Sequence, residues 1–494
     1  MPQGHTPRHP AVAIIGTGPA GISALKALVD EMAFSQIRVF ERRDGPGGTW
    51  NYDKTPQRFP GTDPADLNQA VPPSTFPSRT SPAVPRDGTF QTAIYDWLDT
   101  NVPAELMAFT HTPFPESEVG SPSALSVERY GVGNATRPWI VVARYLLNLV
   151  QGYRDLIEFN TTVTSVEKTE GGNGKWKLTL RRPETNPQSQ DRDSEAEGEG
   201  KDGDLWWQEE FDAVIVATGQ YNVPYLPKIP GLDDAVKTHP GSLEHVNAFR
   251  SPDHYAGKKV VVLGGSFSAS DVVGDIYKLV HGPLYVSQGS HSPYVNEIWH
   301  LPNVQVKPTI SQIQNTGSKL SLAFSDGSQV KDVDKVIFAT GYRFSFPFFT
   351  PEPILSADRV PRIYQHVFKI GDPSLAVLGL VRAPLLFRML EYEAVAVARY
   401  YAGHGRKLPP QDDQERWEAE KVALKGDSYK FHDVTGEMKE HMEFLRELAG
   451  PPAAGTDGYE LPPVADEWLE KCFSVFRLKD EYWRRVRRGT EGQA

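Results

Sequence analysis

AVAIIGTGPAG, residues 11–21, is the stretch from which the fold can be read. Ala11 to Ile15 is an apolar run without polar alternation, the pattern of a strand covered on both faces in a parallel sheet. Gly16, Gly18 and Gly21 follow it with the spacing GxGxxG. The first glycine permits a tight turn, the second lets the backbone approach a pyrophosphate, and the third lets a helix pack close to the strand. The helix N-terminus then faces the anion. GxGxxG on its own often marks only a turn; here the strand before it and the acid after it give it weight. Ile37 to Phe40 reads as the next strand, and Glu41 closes it. A carboxylate at that point takes both ribose hydroxyls and disfavours a 2′-phosphate, so the first site is expected to hold FAD or NAD, not NADP.

The pattern returns at VVVLGGSFSASD, residues 260–271. Gly264, Ser266 and Ser268 sit on a second strand-to-helix turn, with Asp271 inside the helix. The next strand ends LYVSQGSH, residues 284–291, without an acid like Glu41. Ser287, Ser290 and His291 are candidates to meet a 2′-phosphate, which points to NADP at this site. Two dinucleotide sites in one chain imply a flavin reduced by a nicotinamide. The expected fold is α/β, with two Rossmann-like dinucleotide-binding domains.

The remaining sequence bounds the alternatives. The chain has 494 residues and a net charge of −11, so it lacks the basic footprint of nonspecific nucleic-acid binding. One Cys excludes a disulfide framework, a Cys-rich zinc module and a dithiol redox pair within the chain. No metal-ligand set stands out, and no apolar run reaches the about 18 residues of a membrane span. The N-terminus lacks the apolar core of a signal peptide, and a cytoplasmic protein is expected. Asp53 to Gly88 reads as irregular, Pro138 to Val150 as a helix, and Thr161 to Arg181 as strands around a Gly171–Gly174 turn. Residues 182–204 hold eight acidic and three basic residues and no large apolar one, and read as a solvated loop. Phe211–Val216, Lys259–Leu263, Leu284–Ser287 and Lys335–Phe338 read as strands, Glu391–Tyr401 as a helix, and Glu467–Arg488 as an amphipathic surface helix.

Further motifs resemble those of the flavin-containing monooxygenases, over about Val12 to Pro410. Gly47-Gly48-Thr49-Trp50 resembles the family's GGTW. Residues 94–109, IYDWLDTNVPAELMAF, resemble its Asn-Leu-Pro segment, with Asn101 at the active-site Asn. Ala217-Thr218-Gly219 and the FATGY run at 338–342 resemble its two hinges. HPGSLEHVNAFR, residues 239–250, is similar to the identifying motif Phe-x-Gly-x-x-x-His-x-x-x-Phe/Tyr through Gly241, His245 and Phe249. His239 stands in place of the motif's Phe, and Gly289 where many members have an Arg for the 2′-phosphate.

The resemblance implies FAD at Gly16, Gly18, Gly21, Glu41, Gly48, Thr49 and Trp50, and NADPH at Gly264, Ser266, Ser268, Ser287, Ser290 and His291. It implies an FAD domain built from residues 1–216 and 340–494 around an inserted NADP domain, 217–339. NADPH would reduce the flavin, dioxygen would add at its C4a atom, and the hydroperoxide would oxygenate a soft nucleophile, with Asn101 as the catalytic residue. An amine or alkaloid nitrogen is the leading substrate, as in some fungal relatives. A thioether, or a ketone in Baeyer–Villiger chemistry, is the alternative; the latter group usually ends the identifying motif in Trp, where this chain has Phe249. From another class, a non-catalytic NADP-sensing flavoprotein is also compatible, and a homodimer is left open.

Overall fold

The computed structural model describes residues 7–57, 59, 70–81, 91–115, 120–169, 174–184, 203–349 and 359–489. Among these, seven strands form a sheet in the order Ile363–Tyr364, Phe368–Lys369, Leu375–Val377, Ala213–Val216, Ala11–Ile15, Gln36–Phe40, Ile157–Glu158. A separate sheet runs Leu243–His245, Lys335–Phe338, Val260–Leu263, Leu284–Ser287, Val304–Lys307, with all neighbours parallel. The two Gly-rich turns therefore leave two different sheets.

Unbroken apolar strands are what such sheets require. Val12 and Ile14 enter one core cluster and Ala11, Ala13 and Ile15 the cluster on the opposite face. Val260 and Val262 against Val261 and Leu263 repeat the arrangement in the second sheet. A helix follows each turn, Pro19–Asp30 and Phe267–Ile276. The chain passes from one sheet to the other beside Val223–Pro224 and returns beside Tyr342–Arg343, and these two segments pair antiparallel.

Several expectations need correction. Residues 182–204 are not all loop: Trp176–Glu184 and Gly203–Phe211 pair as far as Glu184 with Gly203, and Asp204 is buried in an ion pair with Arg181. Buried Leu178 and Leu180, alternating with Lys177, Thr179 and Arg181, and buried Trp206 on the partner strand pin that ladder against the core. Residues 185–202 lie outside the described residues, as do 170–173 of the expected turn. Within the irregular stretch 53–88, Ser78–Thr80 is an edge strand on Gly203–Phe211, and most of the rest lies outside the described residues.

The helix expected at 391–401 spans Leu386–Ala402 and packs on Pro19–Asp30, with Arg399, fully buried, donating to Glu31 at 2.9 Å. The C-terminal segment is two helices, Asp466–Lys471 and Ser474–Arg487, and the second is no plain surface helix. Its Phe476 belongs to the first sheet's core and its Trp483 to the second's. Trp483 rests on Gly274, where a Cβ would lie 2.4 Å from the indole. Among the described residues, no helix is long and apolar enough to cross a membrane.

Candidate active site

The first turn is built by strand register. Ile15 pairs with Phe40, and the Gly16 N–H donates to the Phe40 carbonyl at 2.9 Å. Gly16 has φ +103°, and a Cβ there would stand 2.7 Å from the Ala217 carbonyl oxygen. A Cβ at Gly21 would stand 1.9 Å from the Gly16 carbonyl oxygen. Gly18 differs: its nearest neighbour would be Gly48 Cα at 3.7 Å, so the protein leaves its free face open. The Gly47 N–H donates to the Thr17 carbonyl at 2.9 Å, which brings the Gly48–Trp50 turn, Thr49 included, against the first. Trp50 meets Phe387 edge-on.

Glu41 follows Phe40 and is aimed back at this turn. Its Oε2 accepts from the Thr17 N–H at 2.8 Å and hydroxyl at 2.7 Å, and its Oε1 from the Arg43 N–H at 2.9 Å. Oε1 keeps a lone pair for a ribose hydroxyl. Thr218, in the hinge segment beside Gly16, holds a buried hydroxyl without a partner.

The second turn repeats the register. Leu263 pairs with Ser287, and the Gly264 N–H donates to the Ser287 carbonyl at 3.0 Å. The residue equivalent to Glu41 is therefore Gln288. Sequence reading passed over it, though counting one residue past the strand end would have found it. A Cβ on Gly265 would lie 2.5 Å from Gln288 Oε1 and 2.4 Å from the Ser290 carbonyl oxygen. Gln288 Oε1 is buried and has no partner. Ser266 is the helix N-cap residue, and it and Ser268 are exposed at the turn. Ser290 and His291 are exposed beside it. Ser287 does not join them: it is buried and its hydroxyl donates to the Pro308 carbonyl at 2.8 Å. In both places the glycines leave a backbone cradle at a helix start, with an orphaned buried oxygen close by. That donor set fits a dinucleotide.

Asn101 lies on a loop stitched to residues 134–138. Thr100 N–H donates to the Arg137 carbonyl at 2.9 Å, and Asp99 Oδ2 accepts from the Thr136 hydroxyl at 3.0 Å. The chain continues into Val102–Phe109, which shares the first core with Trp50 and Phe387. Lys479 of the last helix donates to Asn101 Oδ1 at 2.5 Å and to Asp271 at 3.0 Å. Through Asp271, Asn101 is thus linked to the helix Phe267–Ile276 of the second turn.

The 245–250 segment clamps the sheets together. His245 Nδ1 accepts from the Asn247 N–H at 3.3 Å, and Nε2 then donates to the Gly341 carbonyl at 3.1 Å. Burial lowers its pKa to about 4, so it is neutral and serves as a positioning group in the hinge. Arg250 donates to the carbonyls of Asp53 at 3.0 Å and Thr92 at 2.7 Å.

Three family models match. The one described as flavin-binding monooxygenase-like covers residues 295–451, the FAD-NAD(P)-binding one 13–115, and the pyridine nucleotide-disulphide oxidoreductase one 209–367. Flavin-containing monooxygenase FMO GS-OX-like 7 of Arabidopsis thaliana is 30% identical over 410 residues, 82% of this chain and 75% of its own. The chain belongs to the flavin-containing monooxygenase family. Trimethylamine monooxygenase of Pelagibacter ubique is 28% identical over 78% of this chain and 73% of its own. The structure of S-allyl-L-cysteine S-oxygenase from Allium sativum superposes with a TM-score of 0.68, at 22% identity, over 98% of this monooxygenase and 99% of that chain. The enzyme's cofactors are FAD and NADPH. The disulphide-oxidoreductase match carries no thiol chemistry: Cys472 is the sole cysteine, buried, with its thiol pushed up to about 12 by that burial.

Proposed function

We propose that this monooxygenase oxygenates the nitrogen of a small amine or alkaloid. The observation that carries the site reading is the link from Asn101 through Lys479 to Asp271, beside the turn assigned to NADPH. The preference for nitrogen draws support from the relative named for trimethylamine, whose soft nucleophile is its nitrogen. When bound, FAD and NADPH supply hydride transfer and oxygen activation.

The chain's own residues bind and orient. Residues 1–216 and 340–494 form the FAD domain in this reading and 217–339 the NADP domain, with the last helix spanning both. Gly16, Gly18, Gly21, Glu41 and Gly48–Trp50 hold FAD. Gly264, Ser266, Ser268, Gln288, Ser290 and His291 hold NADPH, with the neutral Gln288 amide accepting a 2′-phosphate neighbour that a carboxylate would repel. Asn101 presents its amide to the reacting edge, where N–H donors stabilise developing negative charge. The protein acts in the cytoplasm.

The test is product mass with trimethylamine, an indole alkaloid, a thioether and a ketone, each with NADPH, in the wild type and in Asn101→Asp. The reading expects an N-oxide or hydroxylamine from the wild type. It expects Asn101→Asp to keep FAD and anaerobic reduction while peroxide replaces product. A sulfoxide or ester as the sole product overturns the nitrogen assignment; unchanged product per NADPH in Asn101→Asp removes Asn101 from the chemistry.

A further inference from the structure

Helix Ser474–Arg487 turns one stripe toward the protein. Val475, Phe476 and Trp483 on it are buried, and Phe476 stacks on Phe267, at the start of the helix Phe267–Ile276, with ring centroids 4.2 Å apart. Lys479 falls inside that stripe, between Phe476 and Trp483 at helical spacing. A lysine among apolar neighbours needs partners for its charge. It has two, Asn101 Oδ1 at 2.5 Å and Asp271 Oδ1 at 3.0 Å. Burial works against the ammonium, but the Asp271 carboxylate together with Tyr130 outweighs it and raises its pKa above the ordinary lysine value. The group is therefore charged throughout the working range.

That contact fixes something an asparagine cannot fix alone. An ammonium has donors and no acceptor, so the amide atom facing it must be the oxygen. The Asn101 Nδ2, with both its hydrogens, is turned away from Lys479. Were the amide reversed, it would offer lone pairs to the reacting groups and repel developing negative charge.

We propose that Lys479 is a positioning residue for the oxygenation: it holds the Asn101 amide with its N–H donors toward the reacting groups, and through Asp271 it couples that orientation to the helix on which NADPH docks. The proposal rests on Asn101 being at the active site, as argued above.

The experiment is a double-mutant cycle on the FAD-loaded, full-length enzyme. Lys479→Met, Lys479→Arg, Asn101→Ala and the double variant Asn101→Ala/Lys479→Met are compared. Bound FAD, the anaerobic rate of flavin reduction by NADPH, and the rate of peroxide release per enzyme with saturating NADPH and no added substrate are measured for each. Lys479→Met should keep FAD and release peroxide about tenfold faster, the scale of one charge-assisted hydrogen bond. Lys479→Arg, which retains a charged donor, should restore most of the difference. The double variant should match Asn101→Ala alone, because a residue acting through Asn101 has nothing further to lose. Additive effects, or wild-type peroxide release in Lys479→Met while Asn101→Ala leaks, overturn the role of Lys479. Wild-type release in Asn101→Ala instead overturns the placement of Asn101. Should Lys479→Met not hold FAD, Lys479→Leu, which likewise has no donor, gives the same comparison.

Discussion

Replacing Gly18 by valine separates the ligand's space from the protein's. Gly18 has φ −70° and ψ −177°, a conformation open to any residue, and an added Cβ would meet only Gly48 Cα, at 3.7 Å. Folding should therefore tolerate the side chain, in contrast to Gly21, where a Cβ would strike the Gly16 carbonyl oxygen at 1.9 Å. The free face of Gly18 opens on the start of helix Pro19–Asp30. Its first intrahelical bond is Ile22 N–H to the Gly18 carbonyl at 3.0 Å, and Pro19 has no N–H, so Ala20 and Gly21 carry the unspent donors. A pyrophosphate kept off those two donors forfeits two charge-assisted hydrogen bonds of about 1.5–3 kcal/mol each. That corresponds to an FAD Kd weakened roughly 10²- to 10⁴-fold. Absorbance at 450 nm against 280 nm of the purified protein, followed by FAD titration of the apoprotein, measures it. The Tm of the apoprotein should stay within a few degrees of wild type. A Gly18→Val protein that purifies fully yellow with an unweakened Kd refutes the assignment of this turn to the pyrophosphate.

Acid should unfold the enzyme through its buried histidines. Burial lowers His245 to about 4 and His432 to about 3, so both are neutral when folded and take up protons on unfolding below the ordinary value of 6.5. Stability should then fall as pH drops from about 6.5 toward 4, by about 3 kcal/mol for His245 alone; His245→Gln should flatten Tm against pH over that window, and an unchanged slope counts against it. Gln288→Glu restores the carboxylate that Glu41 provides at the first turn, and should lower kcat/KM for NADPH about tenfold or more while sparing NADH; an unchanged cofactor ratio in steady-state assays removes Gln288 from the 2′-phosphate site. Replacing residues 185–202 by a two-residue Asn-Gly turn should leave soluble yield and flavin content unchanged, since Glu184 already pairs with Gly203. Loss of bound flavin in that variant would show a role for the segment.

The parts of this fold legible in sequence are those governed by local rules. A five-residue apolar strand, three glycines and an acid at the next strand's end fix a turn by sterics and charge, and the same rules found its second copy. Gln288 escaped because the reading sought an acid or a hydroxyl, whereas the decisive fact is register, Leu263 opposite Ser287. Ser287 was misjudged for the complementary reason: its hydroxyl goes to Pro308, a partner set by the neighbouring strand and invisible in the local pattern. The short strands Ile310–Asn315 and Gln329–Val333 carry too few apolar residues to announce themselves. Lys479 did leave a signal, a charge inside an apolar stripe, but its partners stand 378 and 208 residues away in sequence. No spacing rule reaches that far.

The two connecting segments, Val223–Pro224 and Tyr342–Arg343, lie side by side. Two bodies joined along a single line can swing about it like a door. The last helix adds attachments elsewhere, with Phe476 seated in one core and Trp483 in the other, and the Arg129–Asp275 pair, at 2.8 Å, adds one more. A door fastened on its free side cannot turn. The last helix therefore fastens the two nucleotide folds at a second place, where Trp483 rests on Gly274, far along the chain from the strand with which the fold began.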